Sequence, residues 1–248
     1  MELFYASSGQ IDRAAGRIRL DGDEFHHLSR VLRKKKSERI RVTDGCGLHL
    51  DVCITDVGKS ALEGEITAMR QVPAPSSAVT VAISLLKAPQ RFELFLEKAT
   101  ELGVSAVIPM ITARTVAQPP GERIAKRLVR WRSIMLSAAR QSGRYYLPVI
   151  GEPLAFRNAV ALQGYDCRLI PYELSERSSG GVAVTGGKTL FLIGGEGGFT
   201  PEEVRLAREA GFTEISFGLS ILRAETAGIF AVSLVRARLL EQDVGEWL

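Results

Sequence analysis

The stretch Thr189-Leu-Phe-Leu-Ile-Gly-Gly-Glu-Gly-Gly-Phe-Thr-Pro-Glu-Glu203 reads as a buried strand, a loop with four glycines in five positions, and a helix start. Its apolar run lacks polar alternation, as in a strand of a parallel sheet covered on both faces. Thr200, Pro201 and Glu203 supply a cap, a first-turn proline and a capping-box partner. The loop therefore falls at the carboxyl end of a strand, where open α/β sheets bind ligands, and its missing side chains let a ligand reach backbone N–H groups. A plain strand-to-helix turn is the alternative reading, but one or two glycines would suffice for it. Two nucleotide fingerprints fail here. A G-x-G-x-x-G begun at Gly195 meets Gly197 and then Thr200, and Gly187-Lys188-Thr189 could end a P-loop only if Val182 were glycine.

Toward the C-terminus, Phe217-Gly-Leu-Ser-Ile-Leu-Arg-Ala-Glu-Thr-Ala227 repeats the pattern of strand end, glycine and helix start. Arg223 and Glu225 fall at that start. A cation is electrostatically misplaced there, which suits a contact with an anionic or electron-rich ligand. Upstream, strand-like runs (79–86, 104–109, 148–150, 167–170, 189–193, 214–217) alternate with helical ones (90–102, 122–140, 154–162, 201–210, 224–240). This is an α/β pattern with a mainly parallel sheet.

Gln71-Val-Pro-Ala-Pro-Ser-Ser77 breaks every periodicity and reads as a linker. The expected division is residues 1–72, a linker at 73–77, and a second domain at 78–248. Residues 1–70 show short strands at 17–20, 39–43, 48–55 and 61–68, with turns at Asp44-Gly45 and Val57-Gly58, hence a small β-barrel or open sheet. One helix from Asp21 to Leu32 interrupts them. Asp21 and Glu24 have capping-box spacing, and Phe25, Leu28, Val31 and Leu32 are expected to form one apolar stripe.

The net charge of +4 is unevenly spread: residues 114–145 hold eight Lys or Arg against Glu122 alone, and His26–Arg41 holds seven against Glu38 alone. Clustered cations of this kind are the footprint of a nucleic-acid partner, a solvated basic face being the alternative. Arg123, Lys126, Arg127, Arg130, Arg132 and Arg140 recur at helical spacing suited to phosphates. No apolar run reaches the ~18–20 residues of a membrane span, and Met1-Glu2-Leu3-Phe4 lacks the build of a signal peptide, so a cytoplasmic protein is expected. Cys46, Cys53 and Cys167 form no C-x-x-C pair and are read as reduced thiols. His26 and His27 lack further ligand-spaced partners and are expected to form hydrogen bonds without binding a metal.

Five stretches in order along the chain, His26-His-Leu-Ser-Arg-Val-Leu-Arg33, Lys98-Ala-Thr-Glu-Leu-Gly103, Gln141-Ser-Gly-Arg144, Ile193-Gly194 with Glu196-Gly-Gly-Phe199, and Leu222-Arg-Ala-Glu-Thr-Ala227, together resemble the RsmE-type ribosomal RNA small-subunit methyltransferases of the SPOUT class. The resemblance implies a PUA-like β-barrel, then a SPOUT α/β domain with a C-terminal trefoil knot. It also implies S-adenosylmethionine as cofactor, a homodimer, and methylation of N3 of one uridine of 16S rRNA near the decoding region of the small ribosomal subunit. The implied cofactor loops are Ile170-Pro171-Tyr172-Glu173; Ile193, Gly194, Gly195, Glu196, Gly197 and Gly198; and Phe217, Gly218, Leu219 to Ile221 and Leu222.

Three residues depart from the family pattern: Gly195 replaces a usual proline, Arg140 a glutamate before Gln-Ser, and Ser220 a common arginine. Gly195 is expected to loosen its loop. Arg223 is the expected stabiliser of charge on the base, and Glu225 or a water it holds the proton acceptor. Expected RNA contacts are Arg30, Arg33 and Lys34 in the first basic block, Lys87 and Arg91 at a strand end, and Arg114, Arg132 and Arg144 in the second. Two rival classes remain open at this point: an RNA-binding or ribosome-assembly protein, and a SPOUT enzyme acting on a ribose hydroxyl or on guanine in tRNA.

Overall fold

A computed structural model describes residues 2–116, 121–173, 175 and 187–242. They divide into two compact units, Met1–Ala74 with Ala139–Leu147, and Pro75–Ala138 with Pro148–Leu248.

The first unit contains β1 (Leu3–Tyr5), β2 (Ile11–Asp12), β3 (Arg17–Asp21), α1 (Gly22–His26), β4 (Arg39–Thr43), β5 (Leu48–Val57) and β6 (Ala61–Gln71). They form one sheet in the order β1-β4-β5-β6-β3-β2, antiparallel except for β1 beside β4. Period-two alternation sends Ile18 and Leu20, Ile40 and Val42, and Leu48, Leu50, Val52 and Ile54 into a single core. Register shifts at Asp51/Val52 and Ile54/Asp56 bend the long β5–β6 pair, as bulges do.

Two expectations for this unit need correction. Asp21 and Glu24 form no capping box: Asp21 accepts from Gln10 Nε2 at 2.8 Å, while Glu24 turns to an ion pair with Arg140. The expected helix to Leu32 is α1 followed by a π-helical turn, His27–Val31. Its wider turn rotates the chain past Leu28, so Leu28 is fully buried while Val31 is 60% and Leu32 36% exposed.

The segment 139–147, expected in the second domain, packs here instead. The Gly47 N–H donates to Tyr145 O and the Leu147 N–H to Gly45 O, both at 2.9 Å, and the Tyr145 ring stacks on His49. Tyr5 Oη donates to Arg144 O, and burial pushes that phenol's pKa well up. Glu24 and Arg140 lie 116 residues apart in sequence, so no local pattern reveals their pairing.

Burial pushes the Glu24 carboxyl above the usual range, and Arg140 opposes the shift. The folded unit therefore holds this proton more tightly than the unfolded chain does. Its contribution favours folding at low pH and fades as pH rises through the raised pKa. Removing the cation in Arg140→Met is expected to cost about 2–3 kcal/mol at neutral pH, because the carboxylate is left buried and unpaired. Urea unfolding across the acid range should show that deficit narrowing as Glu24 protonates; a pH-independent deficit would contradict the pairing.

The second unit holds β7 (Ser77–Ser84), α2 (Pro89–Leu102), β8 (Ala106–Ile111), α3 (Gly121–Gln141), β9 (Val149–Ile150), β10 (Leu154–Ala155), α4 (Phe156–Val160), β11 (Cys167–Pro171), β12 (Gly187–Ile193), α5 (Pro201–Glu209), β13 (Thr213–Ile215) and α6 (Ala224–Gln242), α3 running on into residues 139–141 of the first. The strand order is β10-β8-β7-β12-β11-β13 with β9 against β8, all pairings parallel. Ser77, expected in the linker, opens β7 opposite Gly187. Leu154 and Ala155, expected as helix, add to β8 as an edge strand.

Alternate residues of the central strands feed two cores. Val81, Ile83, Phe191 and Ile193 pack with Phe95, Trp131 and Val235 from α2, α3 and α6, whereas Ala82, Leu190 and Leu192 pack with Phe156 and Val204 from α4 and α5. Burial on both faces explains the unbroken apolar strands.

Candidate functional site

In the parallel order β7-β12-β11-β13, every strand presents its carboxyl end on one edge of the sheet. The loops after β12, β11 and β13 are the three singled out from sequence, and the fold brings them together because their strands are neighbours. Glu173 Oε1 of the β11 loop lies 3.5 Å from where a Cβ on Gly198 would sit.

The glycine loop is tight. Gly198 N–H donates to Gly195 O at 3.0 Å. A Cβ on Gly194 would stand 3.1 Å from the carbonyl carbon of Gly198, backbone that cannot swing aside. Gly195 lies close over Ser84: a Cβ there would come 3.0 Å from Ser84 Oγ. Ser84 belongs to a buried hydroxyl cluster in which its Oγ is 2.8 Å from Thr115 Oγ1, and Thr115 Oγ1 is 2.9 Å from Thr112 Oγ1. The smaller residue fits against this floor, which no sequence motif announced.

The loop is also held from both sides. Glu196 Oε1 accepts the Lys87 N–H at 3.1 Å, and Arg114 Nη1 donates to Gly197 O at 2.6 Å. Beyond it the capping box read from sequence is present: Glu203 N–H donates to Thr200 Oγ1 at 3.2 Å, and Thr200 N–H to Glu203 Oε2 at 2.9 Å. The second Glu203 oxygen accepts the Ala113 N–H at 2.7 Å, tying the β8–α3 loop to α5.

In the loop after β13, Leu219 and Ile221 are exposed, and Phe217 packs against Phe230 at a centroid distance of 4.8 Å. Ser220 is exposed as well. Arg223 accepts the first helical bond of α6 through its carbonyl, from Ala227 N–H at 2.8 Å. Its exposed guanidinium has no ion-pair partner among the described residues. Two residues on, Glu225 is only 6% exposed; its Oε1 lies 3.7 Å from Arg91 Nε, and its buried Oε2 has no hydrogen-bond partner among the described residues. A bare buried carboxylate oxygen at a helix start is a costly feature that calls for a reason.

The expected RNA contacts separate by environment. Arg30 and Arg33 in the first unit, and Lys87 and Arg132 in the second, are exposed. Lys34 Nζ is 2.8 Å from Glu38 Oε2, Arg91 faces Glu225, Arg114 holds the glycine loop, and Arg144 is half-buried beside Tyr5. Of the basic face of α3, Arg130 makes a two-pronged pair with Glu93, and Arg140 is spent on Glu24. His27 Nε2 is 3.0 Å from Glu2 Oε1, and no cluster of His, Cys, Asp or Glu fit for a metal occurs among the described residues.

Arg33 stands at φ +52, the left-handed region where helix ends ordinarily place glycine. Arg33→Gly is expected to raise stability by about 0.5–1 kcal/mol. It should also weaken RNA binding, and unfolding curves paired with RNA titrations measure both. A variant less stable than wild type would contradict the strain.

No helix among the described residues is long and apolar enough to cross a membrane. The profile of a family described as RNA methyltransferase domain matches residues 73–236, and that of an RNA methyltransferase PUA domain matches residues 20–67. The ribosomal RNA small subunit methyltransferase E of Mycobacterium bovis is 33% identical over 87% of this chain and 84% of its own length. Its Bacillus subtilis counterpart is 31% identical over 87% of this chain and 88% of its own. A crystal structure of ribosomal RNA small subunit methyltransferase E from Neisseria gonorrhoeae bound to S-adenosylmethionine matches with a TM-score of 0.86 and 31% identity, covering 96% of this chain and 97% of that one.

Proposed function

The chain belongs to the ribosomal RNA small subunit methyltransferase E family, and from that premise we propose that it methylates N3 of a uridine in 16S rRNA, using S-adenosylmethionine. The observation that supports the reading is the tight glycine loop after β12, which lies at the same sheet edge as the loops after β11 and β13. A Cβ at Gly194, Gly195 or Gly197 would sit tightly, 3.0–3.1 Å from Gly198, Ser84 or Arg114, and only at Gly194 is the neighbour backbone. Ile193–Gly198 and Phe217–Leu222 would hold the cofactor through backbone N–H and C=O groups, with Ile170 and Pro171 beside them. That cofactor supplies an electrophilic methyl group. The same reading places a trefoil knot in the segment that carries these loops.

Uridine N3 bears a proton and is a poor nucleophile, so the protein must position the base and favour its anion. Arg223, exposed before α6 and without an ion-pair partner among the described residues, neutralises charge on the base oxygens. Glu225 receives the N3 proton through a water, since its carboxylate is too buried to touch RNA directly. Arg91 orients that carboxylate. Arg30, Arg33, Lys87 and Arg132 contact phosphates, which predicts an affinity that falls steeply with salt. The decoding region of the small subunit is the proposed site of action in the cytoplasm, with a homodimer as the working form. The exposed apolar side chains of Leu219 and Ile221 suit a surface that a second copy covers.

Titration calorimetry with S-adenosylmethionine tests the glycine loop. Wild type should bind, and Gly194→Val should bind about ten- to a hundredfold more weakly, because the added carbons force the loop backbone apart. RNA binding without cofactor binding would turn the reading toward an RNA-binding protein.

A further inference from the structure

We propose that Val31 and Leu32, at the tip of the π-helical turn in the first unit, form an apolar wedge that packs against unpaired bases of the RNA; this rests on the RNA-modifying reading above. The turn is built to present them. Leu32 N–H donates to His27 O at 3.0 Å and Lys34 N–H to Leu28 O at 2.9 Å, and the turn closes through Arg33 in its left-handed conformation. An ordinary α-helical turn would have kept both side chains on the face that buries Leu28. Here Val31 is 60% and Leu32 36% exposed, although the unit has a well-formed core one turn away.

The surroundings select the partner. Arg30, Arg33, Lys35 and Lys36, which flank the pair in sequence, are exposed, and Glu38, the nearest acid in sequence, is occupied by Lys34 Nζ and the Lys35 N–H, both at 2.8 Å. The patch is therefore apolar at its centre and cationic at its rim. Phosphates account for the rim but give the centre nothing to bury. Paired bases are covered by their neighbours in the stack, whereas unpaired bases offer faces that aliphatic side chains can cover or wedge between. Two side chains on a short turn are too little apolar surface for a membrane anchor, which needs an extended amphipathic face.

The test compares full-length wild type with Val31→Ser/Leu32→Ser and with Arg30→Gln/Arg33→Gln. Affinities are measured over a range of salt for an RNA hairpin with a large unpaired loop and for a duplex of the same stem. The apolar variant should bind the hairpin about tenfold more weakly, with an unchanged salt slope, unchanged duplex affinity and an unchanged melting temperature. The charge variant should lower the salt slope for both RNAs. Equal hairpin affinity for wild type and the apolar variant would overturn the wedge. So would an equal loss on the duplex, a changed sedimentation coefficient, or loss of binding to phosphatidylglycerol vesicles with RNA binding intact. Hairpin binding by wild type that ignores salt would instead remove the RNA reading itself.

Discussion

Replacing Arg223 with alanine is expected to slow methyl transfer about 10²- to 10³-fold, the range seen when one preorganised donor to a developing oxyanion is removed. The residue is suited to that role because of where it stands. Its carbonyl starts α6, so the guanidinium lies at the positive end of a 19-residue helix and adds to that field. No carboxylate among the described residues neutralises it. A charge that stabilises only the transition state should lower kcat and leave the affinity for S-adenosylmethionine little changed. Arg223→Lys should recover part of the rate, since the charge returns without the planar fork. A variant as fast as wild type would remove Arg223 from the chemistry.

The largest expected loss of stability belongs to Phe95→Ala, about 3–5 kcal/mol. Phe95 is fully buried on α2, where it meets Phe92 at a ring-centroid distance of 6.2 Å. On α6, Gly228 lies so near that a Cβ there would be 2.6 Å from Phe95 Cε2. The ring fills the space between two helices that carry Arg91 and Glu225 at their first turns. Truncation leaves a void that rigid helix backbones cannot close. The melting transition of the second unit should fall by about 10 °C, while that of the first stays in place. A loss below about 1 kcal/mol would show that the helices repack without the ring.

Those two helices also mark how far the sequence could be read. The strand at 189–193, the loop after it and the Thr200–Glu203 capping box were legible because each is a local pattern: an apolar run, four missing side chains, a three-residue spacing. The same kind of pattern misled at Asp21 and Glu24. There a carboxylate that matched a capping box was drawn 116 positions along the chain to Arg140, where burial makes pairing worth more than a cap. The 3.6-residue period puts Val31 and Leu32 on an apolar stripe, and one π-helical turn suffices to carry them outside. β1 was missed because three residues are too few to show a period.

At the site, the loops were legible and their fastenings were not. The sequence offered Lys87, Arg91 and Arg114 as RNA contacts because basic residues near strand ends invite that reading. The fold gives the Arg91 guanidinium to Glu225 and the Arg114 guanidinium to Gly197 O, whereas Lys87 fastens the loop only through its backbone N–H and keeps an exposed side chain. Each partner is distant in sequence, so the pairings exist only once α2 packs on α6 and β7, β8 and β12 lie side by side. The hydroxyl cluster of Ser84, Thr112 and Thr115 is hidden for the same reason: a serine at the end of β7 and two threonines in the loop after β8 carry no signal until the fold joins them and Gly195 rests on Ser84.

The activity proposed for this protein is uridine-N3 methylation of small-subunit RNA. The most direct measurement incubates the protein and S-adenosylmethionine with small ribosomal subunits lacking the modification, and in parallel with the naked rRNA. The RNA is then digested for nucleoside mass spectrometry and the product mapped. 3-Methyluridine at one 16S position is the expected result. A methylated ribose or guanine in its place, or no product from an enzyme that binds the cofactor, would contradict the account.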